Sequence, residues 1–146
     1  MKKMLLLLTG LLPFPAGFLQ NYCMTTLFRE TALPYGAIGF TSLAVWLLLG
    51  ALLYPLAKSV TRAAVPANLP ALAVLLLILF QELVLHRYWP NFLGVATQLF
   101  YLPVLGIAVK LHRFSSMASA YTAAFLLMYG AFYLGCTLRN KYLSRA

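Results

Sequence analysis

The sequence predicts an all-α protein, a polytopic transmembrane helical bundle of five spans, and three observations carry that prediction. Charged residues are scarce, at 9% against 63% hydrophobic, where a soluble chain is about a quarter charged. The charges that exist divide the chain into uncharged blocks of 25, 27, 19, 22 and 25 residues, starting at Met4, Thr31, Ala63, Tyr88 and Phe114. Each block matches the roughly 20 apolar residues that a helix needs to cross a bilayer. The segments between blocks are short: Arg29–Glu30, Lys58–Arg62, Glu82–Arg87, Lys110–Arg113 and a tail from Arg139.

No hydrated domain fits into such connections. That excludes a P-loop ATPase, a kinase, a soluble hydrolase and a DNA-reading fold, each of which needs a water-exposed domain. Residues 1–146 therefore read as one integral membrane domain, with helices at about 4–28, 33–56, 69–89, 92–109 and 116–138. The net charge of +9 calls for no nucleic acid. Basic residues at the ends of apolar helices reach out to headgroups and favour anionic lipid.

The first block opens Met-Lys-Lys before a run of leucines, like a signal peptide, but no small-x-small cleavage pattern follows the apolar core. Pro13 and Pro15 remove backbone donors in mid-helix, so this block either spans with a kink or dips into the membrane and returns. The second block is the cleanest span, with Pro34 at its start, where a missing donor does no harm, and Tyr35 and Tyr54 near its ends at headgroup depth. The third is expected to begin at Pro70, after a loop from Lys58 to Asn68, and to run to Trp89. Asn91 can cap the fourth, in which Pro103 frees the carbonyl of Leu99. In the fifth, Ser116, Ala120, Ala124, Ala131 and Gly135 fall near one face, the pattern that lets helix backbones approach closely.

Orientation follows from where Lys and Arg collect, since cytoplasmic ends are enriched in them. Five alternating spans divide the cations almost evenly between the sides. Four spans, with a first segment that re-enters, place both termini in the cytoplasm and give the stronger bias. Either way the late parts of blocks one, three and five, carrying Cys23, Glu82, His86 and Cys136, are expected to share one membrane face.

Glu82 is the leading candidate for function. It lies about 18 Å beyond Pro70 at a rise of roughly 1.5 Å per residue, and an ionisable group inside an apolar helix is a functional candidate by default. His86 is expected one turn later on the same face, where the pair could share a proton, bind an ion or ligand, or serve with Arg87, Tyr88 and Trp89 as an interfacial anchor. Gln81 and Gln98 complete the candidate site, or else hydrogen-bond between helices. Cys23 and Cys136 lack the Cys-x-x-Cys spacing of a thiol oxidoreductase, no ligand spacing points to a metal, and no cofactor is expected.

Arg62-Ala63 followed by Asn68 and Pro70, ahead of three apolar helices, resembles the membrane glutathione-transferase superfamily, which has four spans. The acidic residue that should follow the asparagine is absent, as is an arginine within the later helices. No family is assigned on so short a match.

The reading that results is a small multi-pass protein of the cytoplasmic membrane. It acts as a transport or permeation component, as a homo-oligomer or beside a membrane protein partner, with Glu82 and His86 as its polar site. The alternatives are a regulatory, sensor or assembly subunit, and an intramembrane enzyme for a lipid or isoprenoid substrate. Two acids and two histidines leave little acid–base machinery for an enzyme.

Overall fold

A computed structural model describes residues 2–27, 34–111 and 116–144. Arg29, Glu30, His112 and the expected helix ends at 28 and 33 lie outside the described residues. The described residues are mostly helical and form no strand, with five helices long and apolar enough to cross a membrane: Lys2–Leu27, Tyr35–Leu56, Val60–Val84, Phe92–Leu111 and Met117–Leu143. The protein is an integral membrane helical bundle.

The first of these helices is broken, as its prolines require. α1 (Lys2–Thr9) and α2 (Pro13–Tyr22) meet at a tight turn over Gly10–Leu12. Pro13 and Pro15 cannot bond the carbonyls of Thr9 and Leu11, so Leu12 N–H takes the first and Phe14 N–H the second, at 3.1 and 3.0 Å. Shorter i→i+3 bonds thus re-satisfy the freed carbonyls, which a membrane interior demands. Gly10 sits against the Ala67 carbonyl and the Pro70 ring, where an added Cβ would come within 2.9 Å of the ring.

α3 (Tyr35–Leu53) begins directly after Pro34 and ends in a tighter turn, Tyr54–Leu56, that contains Pro55. It is apolar all round and buries little except Gly39, Trp46 and Gly50. α4 (Val60–Leu79) corrects the expected boundaries: the stretch from 60 to 68 is helix, not loop. Ser59 caps it by accepting from Arg62 N–H at 3.3 Å. Pro66 and Pro70 stay inside the helix, tolerated because neighbouring helices cover the backbone they disturb. Ala63, Ala64, Ala67 and Ala71 are fully buried and let α1 and α6 close in on both sides.

The far end of α4 also differs from expectation. A π-helical turn, Phe80–Val84, closes it with Leu85 N–H on Phe80 O, so the helix stops short of 89. α5 (Phe92–Leu111) starts under Asn91, whose Oδ1 accepts from Gly94 N–H at 3.0 Å, as expected of a capping asparagine. α6 (Met117–Leu143) is capped by Ser116, on Ser119 N–H at 3.4 Å, and runs past the expected end at 138.

α6 packs against α3, α4 and α5, and the contacts fix how the helices run. Trp46 lies 5.8 Å from Phe132 by ring centroids and donates to Asn68 Oδ1 at 3.3 Å, which puts α3, α6 and α4 level there. Further along, Tyr54 OH donates to Asn140 Oδ1 at 2.6 Å, so α3 and α6 run in the same direction. In the other direction, Glu82 meets Ala118, so α4 runs opposite to α6. α1 runs beside α4, with Lys3 near Arg62 and Gly10 near Pro70. α2 continues to the opposite end, where Gln20 and Cys23 face Ile38. The first segment therefore traverses the bundle with a kink.

α5 is different. It follows the end of α4, yet its last turn also lies at that end: Gly106 packs on Tyr35, and Gly36 faces Lys110 Nζ. One end of the bundle thus gathers the start of α3, the end of α4, both ends of α5 and the start of α6. The opposite end holds Lys2, the α3–α4 turn and the end of α6. This corrects the expected grouping of Cys23, Glu82, His86 and Cys136: Cys136 donates to Gly50 O at 3.2 Å, toward the opposite end from the other three.

Candidate functional site

Glu82 sits in the π-helical turn, which aims it at the start of α6. Its Oε1 accepts from Ala118 N–H at 2.8 Å and its Oε2 from Tyr88 OH at 2.7 Å. Ala118 N–H is one of the donors that every helix leaves without a partner in its first turn, and a negative group at that end also suits the helix dipole. Burial first, and then the hydrogen bond to Glu82, pushes the Tyr88 phenol above the ordinary tyrosine range, which preserves it as a donor. Gln81 beside it is fully buried, donates to Leu77 O at 3.3 Å and accepts from Trp89 N–H at 2.8 Å. Together these bonds knit residues 81–91 into a clasp between α4, α5 and α6.

His86 is not where a continued helix would carry it. It is exposed, with φ of 52°, the left-handed region, and Arg87 N–H behind it closes on Gln81 O at 3.1 Å. This is a helix C-cap built on a π-turn, with His86 where glycine is usual. No hydrogen bond or ion pair joins it to Glu82. Gln98 is half-buried in α5 and makes no hydrogen bond. Of the small-residue face, Ala120, Ala124 and Gly135 are buried, Ala131 is half-buried and Ser116 is an exposed cap. Gly135 and Gly50 interlock: a Cβ on either would strike the other helix's backbone, at Leu47 and Phe132 respectively.

The largest departure from the sequence reading is a cleft inside the apolar zone. α2 and α3 both pack on α5 but make no extended contact with each other. Between them lies a space of about 220 Å³, walled by Leu12 of the preceding turn, by Pro13 and Ala16 of α2, and by Val45, Trp46 and Leu49 of α3. Phe100, Pro103 and Val104 of α5 form its floor. It continues toward Gln20, Cys23 and Ile38 through Ala16, Ser42 and Pro103, which line both parts. Enclosed pockets for whole small molecules measure about 300–1,000 Å³, so this one has the size for a narrow chain.

One polar group in the cleft has no partner. Gln20 is only 8% exposed, and its Oε1 is a buried acceptor without a hydrogen bond. The nearby Ser42 Oγ is committed to Ile38 O at 2.8 Å. An orphaned amide oxygen costs roughly 1–3 kcal/mol when buried, a cost that a turn of the Gln20 amide toward a polar guest in the cleft would relieve. The floor has its own logic: Pro103 cannot bond Leu99 O, and Gly17 brings the α2 backbone against that carbonyl, where any Cβ would collide. α2 is thereby held close to α5 and left apart from α3. Sequence reasoning could have found Gln20 by the same polar-in-apolar rule that selected Gln81 and Gln98.

No protein-family model matches the chain, and neither a curated protein nor a solved structure matches it.

Proposed function

We propose that the protein is a membrane-embedded receptor for a single-chain lipid, the kind of component that a lipid transport or lipid-processing assembly requires. The ligand class is one hydrocarbon chain, acyl or isoprenoid, ending in a hydroxyl. The observation that carries this reading is the unpartnered Gln20 Oε1 above an apolar cleft that opens between α2 and α3. The chain would lie against Trp46, Leu49 and Phe100, and the hydroxyl would hydrogen-bond the Gln20 amide once that amide turns toward the cleft. An ion or proton path through Glu82 and His86 has less in its favour, because Glu82 spends both oxygens on Ala118 and Tyr88 while His86 faces outward.

A diazirine-bearing hexadecanol in nanodiscs tests this. Photocrosslinks are expected on peptides carrying Leu12–Ala16 and Val45–Leu49, competed by unlabelled hexadecanol and weakly by its methyl ether. Crosslinks scattered over all lipid-facing helices, with no competition, would refute it.

A further inference from the structure

We infer that the cleft opens to the non-cytoplasmic leaflet, because the chain crosses the membrane four times, keeps both termini in the cytoplasm, and lays α5 across the bundle without crossing. The identity of the guest rests on the receptor reading above; the topology does not.

The argument starts from helix direction. Five alternating crossings require α3 and α6 to run oppositely and α4 and α6 to run alike. The bonds Tyr54–Asn140 and Glu82–Ala118 give the reverse of both. Only one arrangement reconciles this with chain order: α4 ascends, α5 begins and ends at the same end as an unbroken helix laid across the bundle, and α6 descends. Pro103 leaves the Leu99 carbonyl without its helical donor, and the α2 backbone at Gly17 covers it, as a membrane interior requires. Tyr101 OH, bonded to the Ala71 carbonyl, pins α5 across α4.

Charge then orients the molecule. Counted over the sequence in chain order, Lys2, Lys3, Lys58, Arg62, Arg139, Lys141 and Arg145, seven cations, fall on the side of the termini, against Arg29, Arg87, Lys110 and Arg113, four, on the other. Cytoplasmic ends collect Lys and Arg, so the termini face the cytoplasm. Gln20, Cys23 and Ile38 belong to the opposite end and Leu12 and Leu49 to deeper levels. A lipid of the outer leaflet, hydroxyl outward and chain inward, matches that polarity. A lipid of the cytoplasmic leaflet would be upside down.

Two readouts on the full chain decide it. Green fluorescent protein fused at either terminus should fluoresce, and alkaline phosphatase at either terminus should be inactive. In a Cys23→Ser background, Arg87→Cys and Lys110→Cys should both react with a membrane-impermeant maleimide from outside intact cells; Cys136 is fully buried and stays silent. Labelling of the two positions from opposite sides, or of both only after lysis, overturns the inference, as does phosphatase activity at either terminus. These results stand whether or not hexadecanol binds.

Discussion

At the scale of single residues, the polar side chains do unlike work. Glu82 joins the end of α4 to the start of α6, so its removal strands a helix-terminal donor. Glu82→Ala is expected to cost about 1–3 kcal/mol, seen as a lower thermal midpoint in detergent, and Tyr88→Phe about 1 kcal/mol. Because Tyr88 and Glu82 share a bond, a double-mutant cycle should return a coupling near 1 kcal/mol; additive effects would show that the bond carries nothing. His86 makes the opposite prediction. Its left-handed backbone disfavours any side chain by roughly 1–2 kcal/mol, so His86→Gly should hold or raise the midpoint, while His86→Val should lower it. A ligand role for His86 would show instead as lost binding in the glycine variant at unchanged stability.

The residue scale is also where the sequence was least legible. The depth of Glu82 was misread from its distance to Pro70, because the helix begins at Val60 and Glu82 lies in its closing turn; its partner could not be read either, since Ala118 offers a backbone N–H and no side-chain signal. The spacing of Glu82 and His86 looked helical because no glycine or proline stands between them. A π-turn needs neither.

At the scale of elements, prolines and glycines govern the fold in pairs. A proline leaves a carbonyl without its donor, and a glycine on the next helix lets backbone cover it: Pro103 with Gly17 is the clearest case. Gly17→Ala should part α2 from α5 and lose folded protein. The α3–α6 crossing depends in the same way on Gly50 and Gly135. Gly135→Ala should therefore destabilise, whereas Gly130→Ala, whose Cβ would meet nothing within 4 Å, should stabilise by about 1 kcal/mol through helix propensity alone. Equal effects of the two substitutions would remove the close-packing account. Asn91 as a cap and the break at Pro13 and Pro15 were readable beforehand because both follow from local chemistry. The start of α4 was misread because Pro66 and Pro70 suggest a boundary in isolation, while buried Ala63, Ala64 and Ala67 show that packing overrides it.

At the scale of the whole molecule, hydrophobic length reveals how many helices can cross but not which way each runs. The blocks between charges predicted all five. Direction is a property of contacts, and the pairs Tyr54–Asn140, Glu82–Ala118 and Gly106–Tyr35 disclose that both ends of α5 meet at one end of the bundle. That arrangement leaves α2 and α3 spread over α5, and the cleft between them carries the functional proposal. Trp46 lines it, which supplies a direct reporter once the second tryptophan is removed as Trp89→Phe. The decisive measurement is quenching of Trp46 fluorescence by a chain-brominated hexadecanol and by its methyl ether, in the wild-type cleft and in Gln20→Leu. Saturable quenching is expected, tighter for the alcohol by the ~2–12-fold that a net hydrogen bond of roughly 0.5–1.5 kcal/mol gives, with that preference lost in Gln20→Leu. Quenching that rises linearly with probe and is equal for alcohol and ether would contradict a lipid site at Gln20.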